Sequence, residues 1–197
     1  MIKELKEHTP FTALAVGVAI LIVVFFQYVL KQEIGEDVFH VFHFLHVIVS
    51  AMATGALYYR YRPNFVKAFL VGMSGAIVIG SLSDVVFPYL GVLVLDAHLH
   101  FHLPLIEETF STLLFAGLGS FAGIVTRTTK VPHFSHVFLS VFASLFYILV
   151  FSSGFAPIYF LAAFLIVFVA VIIPCCLSDI VFPFIFIKKN TENKGSV

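Results

Sequence analysis

Long uninterrupted apolar runs constrain this chain more than any other feature, because several of them extend for about 20 residues without a charge. A helix of that length spans the roughly 30 Å hydrocarbon core of a bilayer. Apolar residues make up 60% of the 197 residues and charged residues 11%, against about 25% charged in an ordinary soluble domain. Because the runs are continuous rather than alternating, we predict an all-α integral membrane protein and not a strand barrel.

Six helical spans fit the apolar runs, with three in each half of the chain. The first half, residues 1–97, contains predicted spans at about 10–30, 38–59 and 65–95. The second half, residues 98–197, contains predicted spans at about 105–125, 133–151 and 158–187, and it ends in a short polar tail.

The two halves share three motifs that occur in the same order. The segments LSDVVFPY at 82–89 and LSDIVFPF at 177–184 have six identical residues of eight. The segments HFLHVIVSAMAT at 43–54 and HFSHVFLSVFAS at 133–144 share their histidines and hydroxyl residues, and a fainter match links the starts of spans one and four. Three spans per unit is an odd number, so the second unit crosses the membrane in the opposite direction. The sequence therefore predicts two inverted-topology three-helix repeats.

The positions of Lys and Arg predict the orientation. They lie before span one, after span two, after span four and in the tail, whereas the opposite loops contain a single basic residue, Lys31. The positive-inside rule then predicts a multi-pass protein of the cell membrane with both termini cytoplasmic. The net charge is zero and no basic tract occurs, so the predicted partners are the bilayer and a metal cation, without nucleic acid. So small a unit is also compatible with a homo-oligomer that encloses a pathway.

Asp84 and Asp179 are the carboxylates that lie well inside the predicted spans, and no Lys or Arg accompanies them. An unpaired ionised carboxylate in lipid costs on the order of 3 kcal/mol, so each acid must be protonated, face water or bind a cation. A serine precedes each acid, and a proline four residues later removes the N–H that would bond the acid's own carbonyl in an α-helix. These oxygen donors favour a cation site. The alternative is a proline kink with a protonated aspartate hydrogen-bonded between helices.

His43 and His46 lie three residues apart on the second span, and His133 and His136 repeat that spacing on the fifth. Residues at this spacing share one face of a helix, so each pair can present two imidazoles to one ion, as in the metal sites of helix bundles. The alternative is a polar seam that hydrogen-bonds one helix to the next.

Depth in the bilayer groups the candidate metal ligands into two half-sites, each with acids and histidines. The outer half-site comprises His43, His46, Asp84, Glu107 and Glu108. The inner half-site comprises His133, His136, Asp179, Glu7 and His8. His40 adds to the outer set. The alternating His98, His100 and His102 form either a lip that collects cations or an ordinary loop, and Cys175 and Cys176 are either soft ligands or packing residues.

Paired imidazole and oxygen donors in both repeats predict a transporter or channel for a divalent metal cation, with zinc or iron foremost and manganese also suited. Inverted repeats supply a mechanism in which the two half-sites exchange access to the two sides. One alternative is an intramembrane metal-dependent enzyme of the hydrolase type, in which the metal activates a water. Another is a haem protein for electron transfer, with His46 and His136 facing each other as ligands. The sequence identifies no catalytic residues.

Overall fold

A computed structural model describes residues 2–31, 34–95, 99–128, 130–152, 160–178, 182, 185 and 186. Within these ranges the side chains of 2–8, 130–134 and 176–178 are not described. The described chain is all-helical and has no β-strand, although an isolated antiparallel bridge pairs Leu99 with Ser152.

In the described part of the chain, eight α-helices and two π-helical turns follow one another. Helix α1 (Ile2–Val24) continues through a π-helical turn at Phe25–Val29, and α2 (Glu36–Tyr61) comes next. Helix α3 (Phe65–Ser81) continues through a second π-helical turn at Leu82–Val86 into α4 (Phe87–Val94). The remaining helices are α5 (Pro104–Glu107), α6 (Thr109–Thr126), α7 (Lys130–Phe151) and α8 (Phe160–Ser178).

Among the described residues, four helical segments are long and apolar enough to cross a membrane: Thr9–Val29, Glu36–Tyr61, Phe65–Val94 and Thr109–Thr126. Two shorter apolar helices occupy Ser135–Phe151 and Phe160–Cys175. Large apolar side chains on the outside of the bundle are exposed, including Leu21 at 70% and Phe110 at 79%, as a lipid-facing surface requires. The prediction of an all-helical chain with several membrane-crossing helices is confirmed at this level.

Helix α2 lies at the centre of the bundle and packs against α3, α6 and α7. The first helix of each sequence half packs mainly against the later helices of the other half. Thus α1 lies on α7 and α8, whereas α6 lies on α2 and α3. The two halves are therefore interlocked rather than placed side by side.

Two glycines explain how closely α6 approaches α2. A Cβ at Gly119 would overlap the backbone carbonyl of Ile48, and a Cβ at Gly123 would overlap that of Met52. Small residues four apart let two membrane helices bring their backbones together without a side chain between them. This contact fixes α2 against α6 along the face of α2 that carries Ile48 and Met52.

Candidate functional site

The carboxylate of Asp84 is the hub of a buried polar cluster at the centre of the bundle. Its Oδ2 atom accepts hydrogen bonds from Nδ1 of His43 at 2.9 Å and from Nδ1 of His46 at 2.7 Å. Its Oδ1 atom accepts from the hydroxyls of Ser83 at 2.7 Å and Ser140 at 2.8 Å. A carboxylate has about four lone-pair sites, and protein donors fill all four here. The structure thus offsets the cost of burying this acid with hydrogen bonds from neighbouring side chains.

The second sequence half reaches into this cluster through two serines of α7. Ser140 binds the Asp84 carboxylate, and the hydroxyl of Ser144 lies 2.9 Å from the carbonyl oxygen of Ser83. That carbonyl needs such a donor, because in the π-helical register its backbone partner five residues on would be Pro88, which has no N–H. The sequence predicts the carbonyl of Asp84 as the one freed by the proline. The π-helical turn moves that role one residue back, to Ser83.

His136 and Cys175 extend the cluster on the side away from His43. The imidazole of His136 stacks on that of His46, with ring centroids 5.9 Å apart and 13° between the planes. The Cys175 thiol lies 3.5 Å from the Ser140 hydroxyl and interacts with both imidazoles. The sequence predicts His136 in a separate inner half-site, whereas the structure joins it to His46 in one cluster.

The two ring nitrogens of His46 have different surroundings. Nδ1 donates to Asp84, while Nε2 is buried and makes no hydrogen bond with a described residue. A histidine whose Nδ1–H is held by a carboxylate has a lone pair at Nε2 when neutral. That nitrogen can take up a proton or bind a metal ion, and so can Nε2 of a neutral His43, whose Nδ1 donates to the same carboxylate oxygen.

A second chain of hydrogen bonds lies at the start of α2. Nδ1 of His102 lies 2.7 Å from Oε2 of Glu107, and Nε2 of His102 lies 2.9 Å from Nε2 of His40. The carboxylate of Glu107 makes Nδ1 of His102 the donor. We assign Nε2 of a neutral His102 as the acceptor and Nε2 of His40 as the donor, because two acceptors or two donors would not bond. The tautomers of the two imidazoles are thus linked.

Local backbone geometry positions His102 and Glu107. His102 stacks on Phe151 with centroids 4.8 Å apart, and its backbone N–H donates to the Tyr147 hydroxyl at 3.2 Å. The backbone N–H of Leu103 donates to Oε1 of Glu107 at 3.2 Å. This hydrogen bond, followed by the one with His102, lowers the pKa of the exposed Glu107 carboxyl below its ordinary value.

One helical turn of α2 separates the two groups of hydrogen bonds. The imidazoles of His40 and His43 both pack on Phe39, with centroid distances of 5.3 Å and 5.6 Å. A succession of titratable side chains therefore leads from the bundle end into its centre. We call it the histidine track, and its members in order are Glu107, His102, His40, His43, Asp84 and His46.

The remaining candidates from the sequence fall into two groups. Glu108 lies beside the histidine track, with its Oε1 atom 3.8 Å from Nε2 of His40. Asp179 and the side chains of Glu7, His8 and His133 lie outside the described part of the chain. The contributions of His102, Ser140 and Ser144 are not among the predicted ligands. The repeat motif at 133–144 contains Ser140 and Ser144 and is the sequence signal that marks these two serines.

The described residues contain no group of three or more His, Cys, Asp and Glu side chains arranged to hold a metal ion. Asp84 in particular has no lone pair left for one, since its four hydrogen bonds come from protein donors. His46 keeps Nε2 for an incoming ligand. The donor set thus fits a metal at His46 better than at Asp84. Comparison with family models, curated proteins and solved structures found no match to this chain.

Proposed function

We propose that this protein is a membrane cation transporter in which protons move along the histidine track. The observation that carries the proposal is a pair of hydrogen-bonded groups, Glu107–His102–His40 and His43–Asp84–His46, that follow each other one turn apart along α2. Imidazole suits this role because one ring nitrogen can accept a proton while the other donates one, and its ordinary pKa lies near neutrality. The track supplies such groups from the bundle end to its centre.

In the assigned tautomers the proton moves outward along the track: Nε2 of His40 gives its proton to Nε2 of His102, and Nδ1–H of His102 passes to the Glu107 carboxylate. Inward movement requires both rings to take the opposite tautomer first, so that Nδ1 of His102 accepts the proton from Glu107. The next transfer, to His43, covers one turn of α2, roughly 5 Å along the helix axis. A water or a turn of the His40 ring bridges that step. The Asp84 carboxylate transfers a proton between His43 and His46, because both imidazoles bond the same oxygen atom. The receiving ring must then carry its own proton on Nε2, so that its Nδ1 is free to accept.

Divalent-metal transport is the second candidate, and one observation favours it. The pairing of Asp84 with Nδ1 of His46 is the carboxylate–histidine arrangement that orients metal-binding imidazoles. In that case Asp84 positions His46, and Nε2 of His46, with the nearby His136 and Cys175, contacts the passing ion. A metal-dependent hydrolase and a bis-histidine haem protein stay predictions of the sequence.

The proposal includes six spans in two inverted repeats, in the cell membrane, with both termini cytoplasmic. The two shorter apolar helices complete the count of six. The interlocked packing supports the repeat, because exchanging the halves turns the contacts of α6 with α2 and α3 into those of α1 with α7 and α8. A homo-oligomer is compatible with this arrangement.

Proton flux in liposomes tests the proposal. Protein reconstituted with a trapped pH dye should pass protons under an applied membrane potential, without any divalent metal. His102→Gln removes a relay group and should lower the proton flux about 100-fold. His100→Gln is the matched control, because it changes an exposed histidine of the same segment that is outside the track.

The metal arm uses the same liposomes with a trapped zinc-sensitive dye. Zinc entry without proton movement, at the same rate in wild type and in His102→Gln, would contradict proton transport and support metal transport. Wild-type protein that passes neither protons, zinc, iron nor manganese would contradict the transporter proposal.

A further inference from the structure

A basic pocket lies at the other end of α2 from the histidine track. It has a volume of about 330 Å³ and is lined by Tyr59, Arg60, Pro63 and Arg127. Arg60 belongs to the last turn of α2, and Arg127 directly follows the end of α6. The glycine contact between α2 and α6 brings these two helix ends together, so the pocket is a product of the fold.

The charge of this pocket is uncompensated within the described chain. Both arginines are exposed, and neither guanidinium makes an ion pair with a described carboxylate. The guanidinium carbon of Arg127 lies 5.5 Å from the centre of the Tyr59 ring. Stacking on a ring face holds a guanidinium in place while its N–H edge remains available to a ligand. The pocket therefore presents fixed positive charge and hydrogen-bond donors that no described carboxylate side chain neutralises.

The backbone of Arg127 gives an independent indication that its side chain has a role. Its φ of 55° and ψ of 23° lie in the left-handed region, where its N–H donates to the Gly123 carbonyl at 2.8 Å and ends α6. Glycine is the residue favoured at such a helix end. A strained non-glycine residue at this position points to a function of the side chain.

We infer that this pocket binds the phosphate group of an anionic phospholipid headgroup. The lining residues lie in the last turn of one candidate membrane-crossing helix or just after the ends of two such helices, which places them at the depth of the lipid headgroups. Basic pockets between membrane helices recognise such headgroups, and paired arginines bind phosphate oxygens through two parallel hydrogen bonds. The Tyr59 hydroxyl is a further donor to the phosphate. This inference is independent of the transport proposal.

Binding of phosphatidylglycerol to the purified, delipidated full-length protein tests the inference. Arg60→Gln with Arg127→Gln should weaken binding about 25-fold, because each arginine that contacts the phosphate contributes roughly fivefold. Lys67→Gln is the matched control, since Lys67 is exposed near the same end of the bundle but does not line the pocket. Phosphatidylcholine should bind far more weakly to all variants.

Arg127→Gly separates binding from folding, because glycine suits the left-handed backbone while removing the guanidinium. We expect an unfolding temperature without lipid at least as high as that of wild type, together with weakened phosphatidylglycerol binding. Unchanged binding in this variant and in the double variant, or an equal loss in Lys67→Gln, would overturn the site. Equal binding of inorganic phosphate would assign the pocket to a soluble phosphate compound and overturn the lipid.

Discussion

The two copies of the histidine–serine motif have different hydrogen-bond partners in the structure. In the second copy, Ser140 binds the Asp84 carboxylate, and the Ser144 hydroxyl lies 2.9 Å from the Ser83 carbonyl and 2.7 Å from the Ser140 carbonyl of its own helix, so both serines contact the acidic motif of the first half. Their counterparts in the first copy, Ser50 and Thr54, have buried hydroxyls with no hydrogen-bond partner among the described residues. The repeat relation predicts that these two hydroxyls serve the second acidic motif in the same crossed manner. Each half would then complete the polar site of the other.

The first membrane-length helices of the two halves, α1 and α6, pack differently against their neighbours. The fainter sequence match aligns α1 with α6 at an offset of 100 residues. At that offset the buried Ala19 and Val23 of α1 correspond to the buried Gly119 and Gly123 of α6. The buried face is therefore kept, but side chains fill it in α1 and a helix backbone fills it in α6. Corresponding positions are thus buried in both helices, but α6 brings its backbone against that of its neighbour, whereas α1 has side chains at these positions.

The largest expected loss of stability comes from adding a single methyl group at the close contact between α6 and α2. Gly119→Ala places a Cβ against the Ile48 carbonyl, and we expect a loss of about 3 kcal/mol of unfolding free energy from the forced separation of α6 and α2. Ala19→Gly removes a methyl group at the corresponding position and should cost about 1 kcal/mol. Unfolding by a denaturing detergent measures both. A neutral Gly119→Ala would contradict the close contact.

Crossed pairing of the serines predicts an effect of intermediate size. Ser140→Ala should lower the unfolding free energy by about 2 kcal/mol, because its hydroxyl bonds a charged group. Combined with Asp84→Asn it should show a coupling of at least about 1 kcal/mol in a double-mutant cycle. Ser50→Ala should couple equally with Asp179→Asn and not with Asp84→Asn. Coupling of Ser50 with neither acid would limit the crossed arrangement to one copy.

The smallest expected effect is on the pH dependence of the unfolding temperature. It comes from Glu107, which lies at the end of the histidine track away from the bundle centre. Its pKa is lower folded than its ordinary value of 4.5, so the contribution of its contacts to stability is present above that value. The contribution is lost as the pH falls through the lower pKa of the folded state. The unfolding temperature measured between neutral and acidic pH should show this loss in wild type and in Glu108→Gln. Glu107→Gln should remove it, and an unchanged profile in that variant would contradict the assignment.

The sequence predicts the helices well because lipid imposes one physical requirement along the whole chain. A continuous apolar run must satisfy its backbone internally, so the run length gives the helix. The grouping of His43 and His46 follows from helical periodicity, and their closeness to Asp84 follows from matching depths in the bilayer. These features depend on one helix or on neighbours joined by a short loop.

The other contacts of the site join helices that are far apart in the sequence, so helical periodicity does not predict them. The approach of Ser140 to Asp84 depends on which helices pack together, and no local pattern encodes that choice. His102 reaches His40 because an extended segment pairs with the end of α7, where the N–H of His100 donates to the Phe151 carbonyl at 3.0 Å. A one-residue change of register in the π-helical turn decides which carbonyl is freed. These details follow from tertiary contacts.

The position of α1 against α7 and α8 has a consequence for biosynthesis. Helix α1 leaves the ribosome before its packing partners α7 and α8, and α2 to α6 are synthesised between them. Until those helices are inserted, the face of α1 that carries the buried Thr12 has lipid or an insertion factor as its neighbour. The native bundle therefore cannot close stepwise as the chain emerges, and its assembly waits for the synthesis of α7 and α8. A ribosome-bound chain that stops before α7 should leave that face of α1 open to crosslinking, and completion of the chain should protect it.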